Sequence, residues 1–331
     1  MTTDAALVEQ AVSLARRMLA DSLADATRSE RRRQQRLGRL LDDPQGRELL
    51  FALTDEVVRI DDPGRAAHRF AAVVRQHPTT AVGTIDRLLL RAGAVVAPLL
   101  PALVMPLIVR RIKHETRGIV LPAEDPGLAK HLRARAADAV RINVNPLGES
   151  ILSDAEADER MRQIERCIDR TDVDYVSVKV SAIAANLDAL AFEHSVERIS
   201  DRLRRLYRRA AAATPRTFVN LDMEEYRDLE LTLQSFMRVL DEPEFHRLDA
   251  GIVLQAYLPD SHEALERLGA WALARSAAGG GTTKVRLVKG ANLAMETVEA
   301  ELHGWIAAPY GSKAEVDASY KALVESALRS D

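Results

Sequence analysis

The chain has 331 residues, of which 47% are apolar and 29% charged, and its formal net charge is −3. That length holds one large domain or two ordinary ones, and the composition supports a packed core rather than a disordered chain. The small net charge gives no bulk argument for nucleic acid as a partner, and a single cysteine, Cys167, excludes an intrachain disulfide.

The N-terminal "MTTDAALVEQ" lacks a basic stretch followed by an apolar run, so no signal peptide is predicted. Residues 1–118 read as a helical region. "DAALVEQAVSLARRMLADSLA" and "GRAAHRFAAVVRQ" carry apolar residues at three- and four-residue spacing. The basic run "RSERRRQQRLGR" has no interleaved aromatic residues and reads as a solvated helix face. Residues 92–109 are uncharged and just long enough to span a membrane. Pro98, Pro101 and Pro106 would each remove a helical hydrogen bond, which favours a buried, kinked helical region over membrane contact.

Residues 119–139, with "LPAEDPG", read as a connection. From 140 to 331 the texture changes to short runs rich in Val, Ile and Leu: "RINVNP", "YVSVKVSAI", "FVNLDMEE", "GIVLQAYL" and "KVRLVKG". Amphipathic helices lie between them, the first opened by Ser153 with Glu156 in a capping box. Five strands separated by helices should be parallel, with both faces covered. The expected fold is α/β, either an open doubly wound sheet or a (β/α)8 barrel, preceded by an all-helical region.

In both architectures ligands sit at the carboxyl ends of the strands. Those ends carry Lys179, then Asp222, then Gln255, then Arg286 and Lys289. A carboxylate after an apolar run needs a partner, and Lys179, Arg286 and Lys289 could supply one. Such a cluster suits an anionic small molecule with an amine, or a polar cofactor ring. Glu224 and Glu225 read instead as the opening of the next helix. Dinucleotide, P-loop and zinc-ligand motifs are missing.

"VSVKVSAI", "VNLDMEE", "LQAYL" and above all "VRLVKGAN" resemble the proline dehydrogenase family, in particular the dehydrogenase half of bifunctional proline utilization A proteins. The resemblance implies a (β/α)8 barrel of which about five βα units fall within 140–331, with FAD at the strand ends. It also implies oxidation of L-proline to 1-pyrroline-5-carboxylate, with electrons passed to a membrane quinone. Carried over by position, Lys179 would pair with the proline carboxylate and Asp222 would sit beneath substrate and flavin. Arg286 would approach the flavin N5. Leu221, Gln255, Val288, Lys289, Gly290 and Ala291 would bind the cofactor, and no metal is implied. Asn292 stands where the family often has an aromatic residue. The family's later barrel elements and an aldehyde dehydrogenase domain are not recognised here, so the chain is expected to be C-terminally truncated and inactive alone. The expected location is the cytoplasm, with peripheral membrane contact left open. Two other readings remain: Lys179 as a Schiff-base nucleophile in an aldolase-like barrel, or an inactive interaction module.

Overall fold

A computed structural model describes residues 2–115, 125–146 and 151–329. The chain divides into two compact units, Met1–Ala123 and Glu124–Asp331. Most of the expected "LPAEDPG" connection lies outside the described residues.

The first unit is helical. Its elements are α1 (Thr2–Asp25), α2 (Arg28–Asp42), α3 (Pro44–Ala52), α4 (Pro63–Gln76), α5 (Thr84–Val96) and α6 (Pro101–Glu115). Local chemistry sets the boundaries. Thr27 and Glu30 form a capping box that opens α2. Asp43 ends α2 and caps α3 by accepting from the Gly46 amide, with Pro44 at the first helical position. Leu49, Leu53, Val57, Phe70, Val73, Ala94 and Met105 make the core.

Residues 92–109 are helical and interrupted at the prolines, as expected, but depart from the expectation of burial. The stretch is broken in two, ending α5 and starting α6, with Pro98 in the turn and Pro106 inside α6. Ala94, Ala97 and Met105 are buried, whereas Val95, Leu99, Leu103 and Leu107 are exposed. Both segments are apolar all round, and packing against α4 covers only one stripe of each. Among the described residues no helix is long and apolar enough to cross a membrane.

The second unit alternates strand and helix. After α7 (Gly127–Ala137) and α8 (Asp154–Ile168) come β1 (Tyr175–Lys179), the short α9 (Val180–Ile183) and α10 (Phe192–Ala212). Then follow β2 (Phe218–Asp222), α11 (Leu229–Leu240), β3 (Ala250–Gln255), α12 (Ser261–Ala277), β4 (Thr283–Val288), α13 (Leu293–His303) and α14 (Lys313–Arg329). The described residues form one four-stranded parallel sheet in the order β1-β2-β3-β4. Sequential order with helical crossovers is the pattern of a partial (β/α)8 barrel.

Two strand expectations need correction. "RINVNP" contributes a single bridge, Val144 to Val176, not a strand. The Val144 amide donates to Tyr175 O and its carbonyl accepts from the Ser177 amide, but Pro146 has no N–H to continue the ladder. "YVSVKVSAI" is strand only to Lys179 and turns helical from Val180.

Strand alternation separates two chemistries. Val176, Val178, Val219, Leu221, Ala250, Ile252 and Leu254 face the helices and are buried in one core with residues of α8, α10, α11 and α12. The opposite face carries Tyr175, Ser177 and Lys179, Phe218, Asn220 and Asp222, Gly251, Val253 and Gln255, and Lys284, Arg286 and Val288. One face is therefore polar. The expectation of apolar residues on both faces holds only for the face under the helices.

Candidate active site

The four strands end side by side at Lys179, Asp222, Gln255 and Val288, with Lys179 opposite Asp222 and Gln255 opposite Val288 in the ladder. Asp222 is 8% exposed. Arg286 reaches across from β4 and donates from Nη2 to Asp222 Oδ1 at 2.6 Å. Asn220 Nδ2 donates to the same oxygen at 2.8 Å and Asn145 Nδ2 to Oδ2 at 3.0 Å. Burial pushes the Asp222 carboxyl above its ordinary range, while Arg286, the Ser177 hydroxyl, Asn220 and Lys179 pull it back.

Lys179 does not pair with Asp222. Its ammonium, on a side chain 12% exposed, forms an ion pair with Glu224. Glu224 does not open a helix, contrary to its place in the sequence. In the structure the next turn starts only at Tyr226 and α11 at Leu229, which leaves Glu224 free to fold back over β1. Lys289, the third expected cation, pairs with Asp317 of α14 at 2.5 Å. Of the three cations, Arg286 alone forms an ion pair with Asp222 among the described residues.

Gln255 is buried, and its Nε2 donates to Met223 O at 3.0 Å and Glu224 O at 2.8 Å, so the amide fixes the loop after β2. Leu221 is fully buried on the helix-covered face, away from the Asp222 side chain. Beyond β4 the Ala256 and Tyr257 amides donate to Val288 O at 2.7 Å and Lys289 O at 2.9 Å. Gly290 has φ +119°, and a Cβ there would lie 2.4 Å from the Tyr257 ring. Only glycine lets this backbone lie flat on the ring. Ala291 and Lys289 are exposed beside it.

Sequence reasoning missed several groups. Tyr226 and Glu296 join α13 to the loop after β2: the Tyr226 amide donates to Glu296 Oε1 at 2.7 Å. The Tyr226 hydroxyl donates to Asp260 at 2.6 Å and is pushed up to about 12 by that carboxylate, then by burial. Asp228 is buried at the foot of this loop, and burial followed by the nearby Glu225 raises it to about 6. Single polar residues in loops carry no periodic signal. The strand residues Asn220 and Ser177 did carry one, the polar half of an alternating strand.

Comparison with known proteins decides the family. A family model described as proline dehydrogenase matches residues 128–331. The chain belongs to the proline dehydrogenase family. The proline dehydrogenase segment contains each of the residues Lys179, Asp222, Gln255, Arg286 and Gly290. Proline utilization A (PutA) from Corynebacterium freiburgense is 46% identical, with a TM-score of 0.62 over 66% of this chain and 23% of its own. Proline utilization A from Bdellovibrio bacteriovorus is 27% identical, with a TM-score of 0.62 over 90% of this chain and 32% of its own. The chain thus spans less than a third of these two proteins' lengths. A search of curated proteins found no match.

Proposed function

We propose that this chain is the flavin-bearing part of an enzyme that oxidises L-proline to 1-pyrroline-5-carboxylate and passes the electrons to a membrane quinone. The carrying observation is the Asp222–Arg286 pair at the strand ends, in a segment that matches the proline dehydrogenase model.

The residues present fit FAD on two counts. Arg286 Nε is buried and has no partner, so a cationic donor remains to be satisfied at the strand ends. Gly290, packed on the Tyr257 ring, carries no side chain of its own, and with the exposed Lys289 and Ala291 it leaves backbone beyond β4 accessible at the strand ends. Arg286, Lys289, Gly290 and Ala291 would hold the group, with Val288, Gln255 and Leu221 supporting the strand ends from which they project. FAD supplies the hydride acceptor when bound.

The chain's own residues set the environment of that transfer. Arg286, held by Asp222, would offer a bound flavin a fixed positive charge, and a preoriented charge is a large catalytic contribution. Asp222 fixes the guanidinium. Lys179 is the cation for the proline carboxylate, and Glu224 must give way for it to act. We place the enzyme in the cytoplasm with peripheral access to the membrane, as the quinone acceptor requires, and a bifunctional parent with an aldehyde dehydrogenase domain accords with the relatives.

The test is visible absorbance. This chain, and the chain fused to the later barrel elements of the Corynebacterium freiburgense relative, are loaded with FAD and given anaerobic L-proline. Bleaching in either supports the reading. Bound flavin that stays oxidised in both sinks it, and borohydride trapping of a carbonyl compound on Lys179 would put the aldolase reading in its place.

A further inference from the structure

The Asp222 carboxylate is held from three directions. Arg286 and Asn220 donate to Oδ1 and Asn145 donates to Oδ2. Asn220 Nδ2 also donates to Ser177 Oγ at 3.4 Å, and Asn143 Nδ2 donates to the same oxygen at 2.8 Å. The donors to Asp222 come from the bridge segment, β2 and β4, so the carboxylate is the meeting point of the polar face.

The amide orientations follow from chemistry. An ionised carboxylate only accepts, so the atom of Asn145 and of Asn220 that faces it must be nitrogen. For Asn220 this has a cost. Its Oδ1 points the other way, buried and without a partner. An unsatisfied buried carbonyl is destabilising, and an apolar residue of the same shape would avoid that cost. The neighbouring strand also makes room for it. Gly251 is the ladder partner of Asn220, and a Cβ on Gly251 would lie 2.6 Å from Asn220 Oδ1. A glycine inside a strand weakens the strand, and here it makes space for the inward amide. The Phe218 ring, 2.9 Å from the same Cβ position, also needs the space at Gly251, so it is the inward amide of Asn220 that packing leaves unexplained and service to Asp222 explains.

The geometry points to Asn220 and Asn145 as positioning residues: their amides pin both oxygens of Asp222 so that the carboxylate meets Arg286 in one orientation. Gly251 is the space that permits it. This rests on the proposed proline oxidation for its catalytic meaning, since Asp222 and Arg286 are the groups at the reacting centre. The charged groups facing Asp222 are Arg286 and Lys179, and both remain in every variant below.

The experiment is carboxyl titration by carbon-13 NMR on the 331-residue chain without flavin, with the Asp222 signal assigned from Asp222→Asn. Asn220→Leu, Asn145→Leu and Gly251→Ala are compared with wild type, and Asn220→Ser restores a short donor. The expected result is an Asp222 midpoint raised by on the order of one unit in Asn220→Leu. A smaller rise is expected in Gly251→Ala, which displaces the amide without removing it, and partial return in Asn220→Ser. If Asn220→Leu does not fold, Gly251→Ala and Asn145→Leu carry the test. A midpoint unchanged in every variant that folds overturns the proposal, because amides that do not hold the carboxylate leave its titration alone. Flavin bleaching of the wild type is read separately. If it fails while the midpoints move, the positioning role stands and the proline reading falls.

Discussion

Arg286 of β4 donates to Asp222 of β2 across the intervening strand, Nη2 to Oδ1 at 2.6 Å. Asp222 is buried, and removing one partner of a buried pair leaves the other charge uncompensated. Arg286→Ala should destabilise the second unit by about 3 kcal/mol, toward the low end for such pairs because the arginine is partly exposed. Arg286→Lys should recover part of that stability but not the rate of proline oxidation, since a point charge lacks the planar donor set. Urea unfolding and stopped-flow reduction of the flavin-loaded enzyme check the two halves, and equal recovery of both would contradict the argument.

Gly290→Ala meets two obstacles at once. The backbone sits at φ +119°, and the new methyl would lie 2.4 Å from the Tyr257 ring. Strain and overpacking together should cost about 2 kcal/mol or more and move the segment beyond β4. Thermal unfolding of Gly290→Ala in the wild-type and Tyr257→Ala backgrounds separates the two effects. Only the ring contact should be relieved by the second change, so full rescue would show that the backbone angle does not matter.

The ion pair of Lys179 with Glu224 predicts competition with substrate. Glu224→Gln keeps the shape and removes the charge, leaving Lys179 available to an incoming carboxylate. The expected outcome is a several-fold lower KM for proline with little change in kcat. A raised KM would show that Glu224 itself helps to hold the substrate.

Asp228 gives a prediction in pH. Its carboxyl is raised to about 6 by burial and by Glu225, with Glu224 and Glu296 adding to the rise and Arg227 opposing it. In the unfolded chain it ionises near its ordinary value of 3.8. The native state therefore holds the proton to higher pH than the unfolded state does, and stability falls as pH climbs from about 4 through about 6. Asp228→Asn should remove this loss. It should stabilise the chain by up to about 3 kcal/mol at pH 7–8 and change little near pH 4. Chemical denaturation at the two pH values measures the difference, and an equal effect at both would assign it to packing.

Much of the architecture was legible in the chain order. Alternating apolar runs and amphipathic helices specify parallel strands with crossovers, because a hydrophobic strand must be covered and a helix with one apolar face covers it. "VRLVKGAN" marked the strand end that carries Arg286 and Gly290. The segment 92–109 was misread because composition measures how apolar a stretch is, not which neighbours exist to cover it. "RINVNP" had a strand's composition, yet only Val144 found a ladder partner.

The sequence by itself determined the elements, the strand ends and the residues able to bear charge there, since these follow from local periodicity and side-chain type. Tertiary structure alone decided the pairing. Lys179 and Asp222 are ladder partners, yet the lysine joins Glu224 and the aspartate joins Arg286, two strands away. Hydrogen bonds and ion pairs act over a few ångströms, and which carboxylate lies within that reach is set by strand register and by how each loop folds back, neither of which residue spacing encodes.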